Sequence, residues 1–427
     1  MVALSDFVST NVLLVAFFTA LLSSALDQYP SPVELAPVDT QYALRTVAQQ
    51  TRFDEHNSIL SSLFTSSSPL YKDAQVLFTD DALAAQDLAI SADGRAFVGL
   101  ADGRVASFRN DDLVLRDFAR TGTHFTECGA ADASLEVQVK CGRPTGLVFS
   151  DSKFLRKFVE RIPQAELFAG EQVLLVADAF RGVYLFDARG KKTLLFNAVK
   201  KEKLNFVSGL AVTKRGDIYV TDSSRDFKRN ELELALLARS PNMGQLVHFS
   251  PVTAVARVVA SELAFPSGLA LVDNDSALLV ALATQNKVVK YTFSAKTLED
   301  FAYTPGEPSG LAVNSVGGDR DALFVGLYAS RGAHWLEDAV MRSVKVRKLL
   351  ALLPEIVTRQ YFGLRSAFAT VDLKTGDVIR MYEETLLSAK KAPWIAGVRK
   401  FGAFYYLTSW ERNALVRVPA AAFASEQ

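Results

Sequence analysis

Side chains that could act as a nucleophile, a base or a metal ligand are scattered along this sequence. No nucleophile or second ligand lies at a recognisable spacing from the histidines, which are His56, His124, His248 and His334. The Gly-x-Ser-x-Gly motif of many hydrolases is absent. One stretch, Asp222-Ser223-Ser224, combines a carboxylate with hydroxyl groups. Because such residues at a strand end bond their own backbone, we predict a turn there rather than a nucleophile.

The two cysteines, Cys128 and Cys141, are the next candidates. An oxidising compartment would join them, and closing so short a loop would stabilise the fold by about 3 kcal/mol. Two free thiols are the alternative. Zinc is not expected, because two cysteines and dispersed histidines lack the spacing of a ligand set.

The N-terminal segment favours an oxidising compartment. Residues 7–26 carry no charge, and small residues precede Leu26, where a signal peptidase could cut. A cleaved signal peptide over residues 1–26 is one interpretation. A signal anchor is the second, because twenty uncharged residues can just cross a membrane, and a buried helix is the third. Either of the first two places the chain in the secretory pathway, where the sequon at Asn274 predicts a glycan.

Composition limits the possible partners. The 427 residues are 49% hydrophobic, and 47 basic side chains balance 47 acidic ones. This balance predicts a globular protein with a large core and no bulk field that would attract nucleic acid. We therefore expect no nucleic-acid partner.

A short phrase recurs and indicates the fold. It reads SGLAV at 208–212, SGLAL at 267–271 and SGLAV at 309–313, each time followed by a turn and an apolar strand. Looser copies begin at Gln86, Thr145 and Ala396, so six units are countable. Such repetition predicts an all-β, six-bladed β-propeller over residues 74–420, after an arm at 27–73 and before a tail at 421–427.

Two insertions interrupt the repeats. Residues 152–168 predict a short helix, and residues 334–357 predict a basic amphipathic helix that Pro354 ends or kinks. We expect both helices near one face, where they would roof the central channel. Contact of the basic helix with a membrane surface is the alternative.

Several motifs in this order resemble the strictosidine synthase-like family, especially its animal branch, the adipocyte plasma membrane-associated proteins. They are ADGRV at 101–105, CGRPTGL at 141–147, VADAFRGVYLFD at 176–187 and DIYVTDSS at 217–224. The resemblance implies a propeller related to gluconolactonase- and paraoxonase-like hydrolases. Those metal-dependent relatives hold calcium in the channel through Glu, Asn and Asp side chains.

This chain departs from the pattern at each of these positions, which are Gln86, Ser208, Ser267 and Ser309. We expect the four side chains to line one channel, and we expect no calcium and no other cofactor, because calcium requires carboxylates among six to eight oxygens. The resemblance also implies an acid–base glutamate in the sixth blade. Gly397 stands there, with Glu383 and Glu384 upstream as substitutes if the alignment slips.

Two functions remain open at this point. The first is a non-catalytic propeller of the secretory pathway that binds a small or lipid-like ligand or a protein partner, with residues 7–26 as a possible membrane anchor. The second is an enzyme with a rebuilt site, either an arylesterase or lactonase, or an amine–aldehyde condensing enzyme. Loss of the ionisable groups at the family positions favours the first.

Overall fold

The computed structural model describes residues 74–130, 132–316, 320–330, 343–353, 365–385 and 395–421. The predicted signal or anchor and the arm lie outside the described residues, as do parts of the second insertion and most of the tail.

The described residues form six four-stranded antiparallel sheets, which confirms the predicted six-bladed β-propeller. The chain begins with β1 (Gln75–Leu77). The first blade contains β2 (Leu88–Ile90), β3 (Ala96–Gly99), β4 (Arg104–Phe108) and β5 (Arg116–Arg120). The second contains β6 (Pro144–Ser150), β7 (Val173–Asp178), β8 (Gly182–Phe186) and β9 (Lys192–Phe196).

After a small hairpin of β10 (Ala198–Val199) and β11 (Glu202–Lys203), the remaining blades follow. The third contains β12 (Val207–Val212), β13 (Ile218–Asp222), β14 (Gly244–Ser250) and β15 (Val255–Leu263). The fourth contains β16 (Pro266–Val272), β17 (Ala277–Leu282), β18 (Lys287–Thr292) and β19 (Thr297–Tyr303). The fifth contains β20 (Gly306–Val316), β21 (Arg320–Ser330), β22 (Arg365–Asp372) and β23 (Val378–Thr385). The sixth contains β24 (Ile395–Phe401), β25 (Phe404–Ser409), β26 (Leu415–Pro419) and β1.

The first strand therefore closes the ring. β1 pairs antiparallel with β26, and Val76 lies opposite Val416. Because β1 is the outermost strand of the sixth blade, both ends of the propeller meet in one sheet.

Blades pack face to face through apolar side chains. Between the second and third blades, Leu175, Val183 and Val220 are fully buried, and the rings of Phe196 and Phe249 stack with centroids 4.8 Å apart. Burial of this kind stabilises a blade only when a neighbour covers it.

The recurring phrase lies where inner strands come closest. A Cβ atom on Gly209 would lie 2.2 Å from the carbonyl oxygen of Ser267, and one on Gly268 would lie 2.3 Å from that of Ser309. Pairing with the second strand shifts register here, for example between Val207 and Leu210. Glycine is required because the backbone of the next blade occupies the space of a side chain.

The described residues contain four α-helices: α1 (Leu135–Cys141), α2 (Lys153–Val159), α3 (Leu232–Ala238) and α4 (Val344–Leu352). α2 follows an inner strand, whereas α3 and α4 each follow the second strand of a blade. Adjacent strands run antiparallel, so α2 lies on the opposite face from α3 and α4. The prediction that both insertions roof the same face is therefore wrong for the first insertion, whose helix is also shorter than predicted.

We call the face that carries α3 and α4 the helical face; the inner strands begin there. α4 contributes Ala351 to a cluster with Leu236 of α3, and the buried Arg347 donates a hydrogen bond to the carbonyl of Leu237 at 2.6 Å. Among the described residues, no helix is long and apolar enough to cross a membrane.

Candidate functional site

The predicted channel positions converge on the propeller axis. Gln86, Ser208 and Ser309 line a narrow cavity of about 40 Å³, together with Gly397. Ser267 does not line it, although the next residue, Gly268, does. Three of the four predicted positions therefore line one cavity, and the fourth lies beside it.

Ser267 instead joins two blades. Its hydroxyl donates to the carbonyl oxygens of Pro308 at 2.9 Å and Ser309 at 3.1 Å. Threonines make equivalent bonds elsewhere in the ring, and their acceptors are the carbonyls of Val207 for Thr145, Ser267 for Thr221 and Gln86 for Thr408. These hydroxyl groups fasten neighbouring inner strands, so their protons are already committed to backbone acceptors.

An aromatic plug, which we define as Phe206, Phe265, Tyr328 and Trp410, closes the channel at the helical face. The four side chains belong to one buried cluster, and successive ring centroids lie 5.5, 6.2 and 5.7 Å apart. Burial raises the pKa of Tyr328, and hydrogen-bonding contacts with Ser309 and Ser208 oppose that rise. The plug therefore engages the two serines that line the cavity.

The channel oxygens do not fit calcium. The carboxylate that lines the channel belongs to Asp87, and it accepts hydrogen bonds from Arg399 and from the backbone N–H groups of Leu88 and Leu147. Among the described residues, the buried Oε1 of Gln86 has no partner, and no group of three or more His, Cys, Asp or Glu side chains could hold a metal. One free neutral oxygen is far from the six to eight that calcium takes. Sequence reasoning missed Asp87, although it directly follows Gln86.

The sixth-blade position offers no proton donor. Gly397 lines the cavity, and a Cβ atom there would meet only the Thr408 hydroxyl, at 3.2 Å. Glu383 and Glu384 lie on β23, the outer strand of the fifth blade, so the structure does not bring them to the channel.

The Asp222-Ser223-Ser224 stretch ends β13, and of its three side chains Ser224 caps the backbone that follows it. Asp222 accepts a hydrogen bond from the backbone N–H of Phe206 at 2.8 Å, and burial raises the pKa of this carboxyl. The Ser223 hydroxyl donates to the carbonyl of Pro266, and Ser224 accepts from the N–H of Phe227. Every one of these groups has a structural partner.

A second and larger cavity, which we call the facial pocket, opens beside the plug on the helical face. Its volume is about 320 Å³. Its walls come from α1, the start of α3, the short 3₁₀ helix Arg229–Glu231 and the loop after Trp410. Sequence reasoning missed this pocket, because its walls are loops from separate blades.

Two arginines form a charged wall of the facial pocket. Arg143 and Arg229 each donate to the carbonyl oxygen of Trp410 at 2.9 Å, and the guanidinium of Arg229 lies 5.9 Å from the Trp410 ring centroid. Burial lowers the pKa of Arg143 to about 9, and the charge of Arg229 contributes to this shift. The charges of Glu411, Asp102 and Asp178 oppose this shift and offset part of the repulsion between the two arginines.

The predicted disulfide is present between Cys128 and Cys141. Cys141 ends α1 and lines the facial pocket. A Cβ atom on Gly103 would lie 1.9 Å from the carbonyl oxygen of Cys141, and one on Gly122 would lie 2.2 Å from the same oxygen. The cross-link therefore holds one wall of the pocket against the first blade.

Asn274 occupies the exposed turn between β16 and β17, with φ at 54°. This position is accessible to a modifying enzyme. Its glycosylation remains a prediction.

The fold and channel define a class, the six-bladed propellers with inner strands around a central cavity, and comparison with known proteins shows which of them the chain resembles. The model of the strictosidine synthase family matches residues 208–296. Strictosidine synthase-like protein 10 of Arabidopsis thaliana is 29% identical over 290 residues, which cover 65% of this chain and 71% of that protein. The chain is therefore related to the strictosidine synthase-like proteins, and the resemblance predicted from sequence is confirmed.

Animal relatives match over a smaller share of their length. The adipocyte plasma membrane-associated protein of Mus musculus is 29% identical over 231 residues, 52% of this chain and 49% of that protein. For Hemomucin of Drosophila melanogaster the identity is also 29%, over 53% of this chain and 36% of that protein. Among solved structures, a gluconolactonase of Xanthomonas campestris covers 82% of this chain and 91% of its own at 14% identity, with a TM-score of 0.50. That similarity supports the fold alone.

Proposed function

We propose that this chain is a ligand-binding propeller of the secretory pathway that performs neither calcium-dependent hydrolysis nor amine–aldehyde condensation. The observation that carries the proposal is the engagement of the channel hydroxyls. Ser208 and Ser309 meet Tyr328, and Ser267 bonds to backbone carbonyls. A hydroxyl that holds the fold together and has no neighbouring base is a poor nucleophile.

The position of the plug favours binding in the facial pocket rather than in the channel. Trp410 and Tyr328 close the channel at the helical face, and the channel cavity of about 40 Å³ has room for little more than a water molecule or two. The facial pocket, at about 320 Å³, lies at the lower end of the roughly 300–1,000 Å³ that small-molecule sites occupy.

Calcium is the decisive test of this function. The melting temperature of the full-length chain should be the same in excess calcium and in excess chelator, because Asp87, the carboxylate that lines the channel, is already bonded to Arg399 and to backbone N–H groups. Metal analysis of the purified chain should find no stoichiometric calcium. The chain should also leave the hydrolysis rates of phenyl acetate and gluconolactone at their uncatalysed values, with a calcium-dependent gluconolactonase as the positive control.

A rise of several degrees in calcium, or calcium-dependent hydrolysis, would favour the alternative function, an arylesterase or lactonase with a rebuilt site. Condensation of an amine with an aldehyde by the chain would favour the second alternative and would require an acid–base residue other than Gly397.

Two observations support the secretory compartment. Cys128 and Cys141 form a disulfide, a bond that persists in oxidising compartments. The animal relatives bear names that place them at the plasma membrane.

Glycosylation of Asn274 would show directly that the chain enters the secretory pathway. In a eukaryotic secretory host the chain should carry a glycan, since Asn274 is exposed in a turn. N-glycosidase should then lower its apparent mass, and Asn274→Gln should abolish the shift. An unmodified chain that keeps free thiols would contradict the secretory assignment.

A further inference from the structure

The two arginines of the facial pocket lack a carboxylate partner. Within the part of the chain that the structure describes, the hydrogen-bond acceptor of each guanidinium is the Trp410 carbonyl, and neither side chain forms a salt bridge. Arg229 is only 8% exposed. Charged side chains buried to this degree are normally paired. Glu411, Asp102 and Asp178 favour the charged form of Arg143 electrostatically, but within the described residues none of them bonds to either guanidinium. The N–H groups that face the cavity therefore remain suited to an anionic ligand.

The geometry suits a carboxylate. Each guanidinium has five N–H donors, and one shared acceptor uses a single donor from each. The Nε of Arg143 is buried and has no hydrogen-bond partner among the described residues. Because both side chains converge on the Trp410 carbonyl, their free N–H groups lie beside each other at the edge of the same cavity. Forked donors of this kind match the two oxygens of a carboxylate.

A second unpaired group calls for a donor on the same ligand. The buried Oδ1 of Asn230 lines the facial pocket, and it also lacks a hydrogen-bond partner within the described part of the chain. Acidic side chains also lie in the lining: Asp132, Glu233 and Glu411. A ligand that fits these groups carries hydroxyl groups beside its negative charge.

We propose that the facial pocket binds a small hydroxylated organic acid, with its carboxylate held by Arg143 and Arg229 and a hydroxyl group donating to Asn230. This inference rests on the proposed ligand-binding function and names the chemical class of the ligand. The volume of about 320 Å³ limits the ligand to a small molecule.

Binding of three matched probes to the full-length chain tests the proposal by titration calorimetry. The probes are quinate, which has a carboxylate and hydroxyl groups, its uncharged methyl ester, and cyclohexanecarboxylate, which has no hydroxyl groups. Quinate should bind at least tenfold more tightly than either of the others. Equal binding of quinate and its methyl ester would overturn the arginine assignment, and binding of none of the probes would overturn the proposal.

Substitutions of the two arginines test whether quinate binds in the facial pocket. Arg143→Gln and Arg229→Gln should each weaken quinate binding at least tenfold, whereas Arg143→Lys should retain part of it because the charge remains. Arg215→Gln is the matched control, since Arg215 is exposed in the turn between β12 and β13 on the opposite face. Unchanged quinate affinity in both glutamine variants would refute the site.

Melting temperatures separate loss of binding from loss of folding, because both arginines also hold the Trp410 carbonyl. If a glutamine variant unfolds, the comparison of the three probes on the unaltered chain still decides the proposal. Absence of quinate binding would overturn this inference alone, because the proposed function is tested separately by calcium binding and hydrolysis.

Discussion

At the scale of single residues, the repeated serine–glycine pair serves packing. The glycine lets the backbone of the next blade approach, and the serine hydroxyl bonds to that backbone in the case of Ser267. At Ser208 and Ser309 the hydroxyl meets Tyr328 instead. One short phrase thus recurs because the same close contact between inner strands recurs around the ring.

Gly268 tests this interpretation. Gly268→Ala should lower the free energy of unfolding by about 3 kcal/mol, because the new Cβ would lie 2.3 Å from the carbonyl oxygen of Ser309, which the backbone cannot easily move. Denaturant unfolding measures the change.

Gly397→Ala is the matched control, since its Cβ would meet only a hydroxyl at 3.2 Å. It should change stability by less than about 1 kcal/mol. Equal stabilities for the two variants would mean that the inner strands can separate without cost.

At the scale of elements, ring closure depends on a very short strand. β1 contributes three residues, and it covers the edge of β26, which would otherwise expose unpaired N–H and C=O groups. The remaining strands of the sixth blade come from the other end of the chain.

Val76→Pro should therefore destabilise the whole propeller by about 1–3 kcal/mol, because proline fixes φ away from the value that an antiparallel strand requires. The change is measured by thermal unfolding, together with the concentration dependence of aggregation that an exposed edge would cause. Val76→Thr, which keeps the backbone N–H and a β-branched side chain, should unfold at nearly the same temperature as the parent chain. A proline variant as stable as the parent would show that the β1–β26 pairing contributes little to closure.

Elements also show where sequence patterns mislead. α3 has the sequence LELALLA and is buried on nearly all sides, so it lacks the polar face by which a helix is recognised. α1 reads LEVQVKC, in which valines alternate as they would in a strand. Tertiary contacts decide both cases: α3 packs in the cluster that contains the aromatic plug, and the disulfide ends α1.

At the scale of the whole molecule, the repeat predicted the architecture because every blade must bury the same two faces. The six predicted repeat units begin at or near the starts of the inner strands β2, β6, β12, β16, β20 and β24. Two of the outer strands, β15 and β19, are largely exposed and carry a weaker pattern.

The facial pocket could not be predicted in this way. Arg143 and Arg229 bond to Trp410 across 267 and 181 residues, respectively. Spacing in the sequence carries no signal for contacts of this range, because they depend on how separate blades meet in the closed ring.

The place of β1 also determines how the molecule can be held. Because β1 is the outermost strand of its blade, whatever precedes Gln75 joins the disc at its circumference. An attachment at the rim lies away from the axis, where the aromatic plug closes the channel. A disc suspended by its edge can present the mouth of the facial pocket to one neighbour and the underside of the ring to another at the same time.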